Sequence, residues 1–486
     1  MNELSSSRDL FHAPVWDAWD QAFYSRSVPQ GLPHPQWGLW NAALAAQFGL
    51  PVQPTEALLQ TFSGNTHSMP WCSAYAGHQF GSWAGPLGDG RAHTLGTLTS
   101  QASTYEFQLK GAGMTPFSRR GDGRAVLRSS VREYLASEAM AGLNIPTTRA
   151  LALIASPLPV MRETVETAAI VTRVAPNFLR FGHIEHLSHH GIHDAVLPLI
   201  THLNAVYYPA AVAHPDPVLG FFTKVVEGTA QLMAAWQSVG FCHGVMNTDN
   251  MSLLGLTLDY GPFAFLDGFD LHYVCNHSDT QGRYAYDQQP TMGWWNCTAL
   301  ASALLPFVQQ EASLQAVLDH YSVIFQDEFH RRFRAKLGLG QEHPDDEILI
   351  GRLLALMHHN TVDFTRFFRA LSAVEIQEDP RRLAEVPEFQ GTRSWIEWLH
   401  DYGQRGQQES HDPQQRAGMM GRVNPRFVLR NHLAELAIRQ AQGGDFAMAQ
   451  ELQRVLATPF DLHPDHEDWA DSPPDWASSL SLSCSS

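Results

Sequence analysis

Residues 243–261 read HGVMNTDNMSLLGLTLDYG, and the fold turns on how this stretch is read. His243 is followed seven positions later by Asn250, and the stretch closes on Asp259, Tyr260 and Gly261. The amide oxygen of Asn250 and the carboxylate of Asp259 are hard donors of the kind that hold Mg²⁺ beside phosphate oxygens. Asp249 is the only carboxylate between His243 and Asn250. Two positions after the histidine stands Val245, which can neither accept a proton nor bind a metal.

Working upstream, residues 217–238 (PVLGFFTKVVEGTAQLMAAWQS) carry the period of a long amphipathic helix leading into the loop. Further back, TYEFQLKGAG ends a Gly-rich, strand-like region spanning about residues 70–125. The alternation of Tyr105, Phe107 and Leu109 predicts a half-buried strand that carries Lys110. A lysine facing inward there needs an anionic partner. SSVREYLASEAMAGLNIP predicts a helix capped by Ser129 or Ser130 and ending near Gly142 and Pro146. Its Glu133 is the candidate partner, although a lone glutamate on a helix more often faces water. RALALIAS, VMRETV and AAIVTRVA predict further strands.

Two glycine-rich turns could bring backbone N–H groups to an anion: GPLGDGR (Gly85 to Arg91) and the second GDGR, which contains Asp122 and Gly123. Arg119, Arg120 and Arg124 cluster around the second. By itself the first reads as an ordinary turn. Arg173 and Arg180, after a predicted strand, suit bidentate phosphate binding or surface ion pairs. The run His183 to Asp194 (HIEHLSHHGIHD) lacks the spacing of a metal site and is predicted to be a polar surface loop.

Phosphoryl and nucleotidyl transfer need positioned cations, metal-holding oxygens and close backbone approach. Lys110, Glu133, Asn250 and Asp259 follow one another in the order of the protein-kinase motifs, whose loop reads H-R-D-L-x-x-x-N and whose metal motif reads D-F-G. The kinase aspartate is missing, since Val245 occupies its place. Asp249 either replaces it or the chemistry differs.

The 486 residues carry a formal charge of −17, which argues against nucleic acid as the main partner. No apolar run is long enough for a membrane span, and the N-terminus lacks the form of a secretory signal. A cytoplasmic protein is expected. The five cysteines, Cys72, Cys242, Cys275, Cys297 and Cys484, are scattered and contain no C-x-x-C. Lysine occurs only at Lys110, Lys224 and Lys336, a mild sign that each is kept for a reason. Residues 1–60 are expected to form an irregular wrap. Residues 297–336, 345–372 and 424–457 are expected to be mostly helical, and the tail from about 458 loosely ordered.

Taken with AGHQFG, LGDGR, LKGAGMTPFSRRGDGRAVLRSSVREYLASEAM, TRVAPNFLRFGHIEH, CNHSDTQGRYAYDQQP and NPRFVLRNHLAE, the opening stretch resembles the selenoprotein O family. The resemblance covers most of the chain. It implies an α+β, protein-kinase-like two-lobed fold with N- and C-terminal extensions. The expected division is 1–65 (extension), 66–200 (strand-rich N-lobe with one key helix), 201–400 (helical C-lobe) and 401–486 (helical extension and tail).

The resemblance further implies an adenylyltransferase that binds ATP inverted and moves AMP to Ser, Thr or Tyr hydroxyls of target proteins. Mg²⁺ or Mn²⁺ would be the cofactor. Carried onto this chain, Lys110 and Glu133 form an ion pair, with Lys110 on a phosphate. Gly88, Gly90, Arg91, Asp122, Gly123, Arg173, Arg180 and Asp259 line the nucleotide site, Asn250 and Asp259 hold the metal, and Asp249 accepts the proton. Cys484 stands where some relatives carry selenocysteine, which implies a redox role with Cys275 as partner. The rival readings are a kinase that moves the γ-phosphoryl group and a nucleotide-binding scaffold without turnover. Target proteins and oligomeric state are not legible in the residues.

Overall fold

A computed structural model describes residues 10–13, 21–67, 70–373, 392–410, 412–480 and 482. It is an α+β structure. Twelve strands are present among these residues: β1 (Tyr24–Arg26), β2 (Gln36–Trp40), β3 (Trp71–Ser73), β4 (His78–Gln79), β5 (Ser82–Trp83), β6 (Ala92–Ser100), β7 (Ser103–Lys110), β8 (Ala125–Val126), β9 (Arg149–Met161), β10 (Val165–Ala175), β11 (Phe241–Cys242) and β12 (Ala264–Phe265). Eight form one antiparallel sheet in the order β1-β3-β6-β7-β10-β9-β2, with β8 on β10. The segment expected to be an irregular wrap therefore supplies β1 and the edge strand β2. VMRETV is not a strand of its own but the turn between β9 and β10.

The sheet is covered on both faces, which corrects the half-buried reading of β7. Phe107 and Leu109 pack among Leu44, Leu58, Phe62, Ile154 and Ile170, against helices Ala42–Gln47 and Glu56–Phe62. The alternate residues Glu106, Gln108 and Lys110 are also buried, on the opposite face. On that face helix Leu127–Gly142 lays Val131, Leu135 and Ala139 against Leu153, Ala169 and Val171. The helix begins three or four residues earlier than the serines suggest. Its N-cap is Val126 without a side-chain cap, and Ser129 Oγ instead donates to Val126 O. The helix is buried on almost every side, so local capping counts for less than packing.

Helix Pro217–Ser238 has the bounds read from its period. Asp216 accepts from the backbone N–H groups of Val218 and Leu219, and Pro217 sits where a helix has no N–H to lose. It packs with Gln289–Leu304 and the long Glu311–Leu337, and its Trp236 stacks on His243. Helices Asp346–His359, Phe364–Ala373, Asn431–Gln442 and Ala447–Ala457 fall within the segments expected to be helical. The last two pack on helix Leu127–Gly142, so closely that a Cβ on Gly142 would lie 2.0 Å from Leu456 O. The histidine-rich run is not a surface loop. It spans the end of helix Phe181–His189 and the start of His193–Tyr207, and His183 is buried with its Nδ1 accepting from Arg180 N. The tail contains two 3₁₀ segments, Pro464–Ala470 and Asp475–Ser479.

Of the three lysines, Lys110 and Lys336 are buried and Lys224 pairs with Glu227 near the surface. Among the described residues no helix is long and apolar enough to cross a membrane.

Candidate active site

Strand register brings the first group of candidates together. β7 and β10 pair so that Arg173 lies opposite Gln108 and Val171 opposite Lys110. The Arg173 guanidinium bonds Gln108 Oε1 across the strands. Glu133 reaches in from helix Leu127–Gly142, and its Oε2 lies 2.6 Å from Lys110 Nζ. Lys110 Nζ is also 3.0 Å from Asp259 Oδ1, and Arg173 Nη1 is 2.5 Å from the same oxygen. Arg180 Nη1 bonds the other oxygen, Oδ2, and donates to Asp249 O at 2.6 Å.

Three cations thus meet two carboxylates in a nearly dry cluster, an arrangement that leaves room for a further anion. Burial pushes the Lys110 ammonium below its ordinary value, and Asp259 and Glu133 push it part of the way back. Burial opposes charge on Asp259 too, but Arg180, Lys110 and Arg173 outweigh it and hold that carboxyl well below the usual range. Its side chain is 19 % exposed, toward the cleft. Arg173 Nε and Arg180 Nε are buried without a hydrogen-bond partner, as is Asp249 Oδ1. Unpartnered buried polar atoms are uncommon and need a reason.

The opening loop leaves β11 at His243. Gly244 has φ +79°, and a Cβ there would press on Cys275 Sγ at 2.6 Å. Thr248–Asn250 form one 3₁₀ turn. This turn presents Asp249 and Asn250 to a cleft of about 800 Å³, which Val245 and Asp259 also line. Asn250 Nδ2 donates to Val245 O at 2.9 Å, which fixes the amide plane. Asp249 is buried, and burial pushes its carboxyl up to about 6, against the hydrogen bond from Gln79 and the charge of Arg180.

The glycine-rich turns form another wall of the same cleft. Gly88 has φ +72°, and a Cβ would strike the Phe117 ring at 2.3 Å; at Gly123, with φ +69°, it would strike Gly113 at 2.1 Å. Only glycine lets these turns fold back on each other. Gly90, Arg91, Arg119, Arg120, Asp122 and Arg124 line this wall. Asp122 is held by Arg162, with Nη1 at 2.8 Å and Nη2 at 3.0 Å, and its carboxyl is lowered by that bond.

All the expected nucleotide and catalytic residues therefore border one cleft or, as with Glu133, touch a residue that does. Sequence reasoning missed Tyr75, Gln79, Phe80, Asp89, Arg162 and Asn247, which also line it. Gln79 and Phe80 lie in AGHQFG, already conspicuous as a motif. Asp89 is the aspartate inside the first GDGR, yet it is buried, accepts from Ser73 N and Oγ, and is raised by burial.

Among the described residues no group of three His, Cys, Asp or Glu side chains forms a metal cage. Asn250 and Asp259 both present hard oxygens to the cleft, a set that suits Mg²⁺ when phosphates complete the shell. Cys275 is buried, with Sγ 3.5 Å from Cys242 Sγ, and burial pushes its thiol well up. Cys484 lies outside the described residues. Leu482 O accepts from His277 N at 3.2 Å, so the tail runs beside the segment that bears Cys275.

A family model described as protein adenylyltransferase SelO matches residues 7–457. A protein of Paraburkholderia xenovorans (strain LB400), named protein nucleotidyltransferase YdiU, is 51 % identical over 505 residues, covering 100 % of this chain and 98 % of its own. A protein of the same name from Ralstonia nicotianae is 49 % identical over 502 residues, covering 98 % of this chain and 95 % of its own. Similarity of this extent leaves no doubt about kinship: the chain is an enzyme of nucleotidyl transfer and belongs to the SelO (selenoprotein O) family of protein adenylyltransferases.

Proposed function

We propose that the chain transfers AMP from ATP to Ser, Thr or Tyr hydroxyls of target proteins. The hydroxyl oxygen bonds to the α-phosphorus, the bond from that phosphorus to the bridging oxygen breaks, and pyrophosphate leaves with the electron pair. The hydroxyl proton passes to Asp249. The carrying observation is the unpartnered, buried Oδ1 of Asp249, placed one residue from Asn250 and against Arg180 of the cationic cluster.

Lys110, Arg173 and Arg180 would grip the triphosphate and release Asp259 from part of its present pairing. Arg91, Asp122 and the backbone at Gly88, Gly90 and Gly123 would position the nucleotide. Asn250 and Asp259 would hold Mg²⁺ or Mn²⁺, which when bound neutralises phosphate charge. We read the sheet with helix Leu127–Gly142 as the N-lobe of a kinase-like architecture and the helices after it as the C-lobe. The reduced, buried thiols suit a cytoplasmic setting.

The test is retention of label. With ATP labelled at the α-phosphate, acceptor proteins should become labelled; with γ-label they should not. Retention of γ-label would make the chain a kinase, and tight ATP binding without either label would make it a scaffold.

A pH dependence follows from Asp249. The base is competent only when ionised, and its carboxyl lies near 6. The transfer rate at saturating ATP should therefore rise as pH increases through about 6 and level off above it. A rate that falls over the same interval would exclude Asp249 as proton acceptor.

A further inference from the structure

Asp249 is held from outside its own loop. The holder is the short hairpin β4–β5, about 170 positions earlier, and it engages three consecutive loop residues. His78 N donates to Thr248 Oγ1 at 2.7 Å, Gln79 Nε2 donates to Asp249 Oδ2 at 3.1 Å, and Phe80 N lies 3.2 Å from Asn247 Oδ1. The Phe80 N–H also reaches Tyr284 OH at 3.1 Å.

The approach is close and strained. A Cβ on Gly77 would stand 2.8 Å from Thr248 Oγ1, and one on Gly182 would stand 2.1 Å from Ala76 O. Phe80 has φ 49°, a left-handed conformation that a bulky residue adopts only where its surroundings demand it. Behind the hairpin, His78 Nδ1 lies 2.5 Å from Glu185 Oε1 on helix Phe181–His189.

The chemistry at Asp249 is asymmetric. Oδ2 accepts from Gln79, whereas Oδ1 is buried and unpartnered. An ionised carboxylate only accepts, so the Gln79 amide must present its NH₂ side. A neutral amide orients the carboxylate without cancelling its charge. An arginine in the same place would pair with it and weaken it as a base.

We propose that Gln79 is a positioning residue for the transfer step, holding Asp249 by Oδ2 so that Oδ1 meets the incoming hydroxyl. The inference rests on the reading of Asp249 as proton acceptor. Arg180, Asp259 and Tyr75 also face Asp249, and they remain in every variant below.

The experiment compares the full-length protein with Gln79→Leu, Gln79→Glu and Asp249→Asn. The probe is α-labelled ATP with a heat-inactivated mixture of cellular proteins as acceptor. Gln79→Leu should slow the single-turnover rate by roughly 10- to 100-fold, as loss of orientation does. ATP affinity should hold within roughly two-fold, because Gln79 is assigned no phosphate contact. Gln79→Glu keeps the size but places there an ionised carboxylate that cannot donate to Asp249, so it should be slowed at least as much; it serves if the leucine variant does not fold.

Asp249→Asn must be inactive. If it is inactive while the Gln79 variants keep the wild-type rate, the positioning role is overturned and the acceptor reading survives. A Gln79 variant whose ATP affinity and melting temperature fall together with its rate makes the hairpin merely structural, which also overturns it. An active Asp249→Asn removes the acceptor reading, and this inference falls with it.

Discussion

Asp259→Ala is expected to abolish metal-dependent transfer, with a loss of at least roughly 10³-fold, because it removes charge balance and the oxygen proposed to hold the metal together. In the structure Asp259 takes Lys110 and Arg173 on one oxygen and Arg180 on the other. Without it Lys110 keeps Glu133, and the arginines keep Glu133, Asp89 and Asp249, for compensation. Lys110, already lowered by burial, would lose one of the two charges that keep it protonated. Asp259→Asn separates the contributions, since it retains the shape and an oxygen but not the charge. Both variants should still fold, because the Asp259 side chain is partly open to the cleft and water can reach the cations. The check is α-label transfer across a Mg²⁺ titration, with ATP binding measured alongside. Wild-type transfer in Asp259→Ala would refute the ligand role.

The centre of the site was legible in the residues because its parts are spelled by type and order. A strand lysine, a helix glutamate, an Asn seven positions after a His and an Asp-Tyr-Gly each carry their own chemistry. What stayed hidden depends on contacts distant in sequence. Gln79 lies on two-residue strands, too short to show any period, and its significance comes only from contact with Asp249. Arg162 sits in a hairpin turn and is tied to the site through Asp122 and Arg124 O. Glu133 was the expected partner of Lys110, although a lone glutamate on a helix more often faces water. The helix that bears it is buried by the sheet on one side and by helices Asn431–Gln442 and Ala447–Ala457 on another. That last contact joins segments about three hundred positions apart, as the approach of Arg132 to Asn431 illustrates. The missing kinase aspartate was visible from the start. The proposal that Asp249 replaces it draws on burial and on an oxygen left without a partner.

The same C-terminal region is the seat of the largest expected effect on stability. Arg430, in NPRFVLRN, is 1 % exposed. Its Nη1 bonds Asp267 Oδ1, and its Nη2 lies 2.9 Å from Asp363 Oδ2 and 3.1 Å from Oδ1. It thereby ties the start of helix Asn431–Gln442 to the chain just after β12 and to the N-terminal end of helix Phe364–Ala373. Burial pushes the Asp363 carboxyl up, and Arg430 is the first charge that opposes it. Arg430→Met would keep the bulk but strand one deeply buried carboxylate and one partly buried carboxylate. Removing one partner of a buried ion pair costs roughly 3–5 kcal/mol, far more than the pair contributes over an apolar replacement. Chemical denaturation of Arg430→Met should show a loss of that size. Arg430→Lys, which keeps the charge but cannot make the forked contact, should fall between the two. The loss in Arg430→Met should also shrink as pH is lowered toward the carboxyl range, because a protonated Asp363 no longer needs the cation. A loss below about 1 kcal/mol at neutral pH, the worth of a surface pair, would mean that water reaches Asp267 and Asp363 and that the C-terminal helices are held by apolar packing alone.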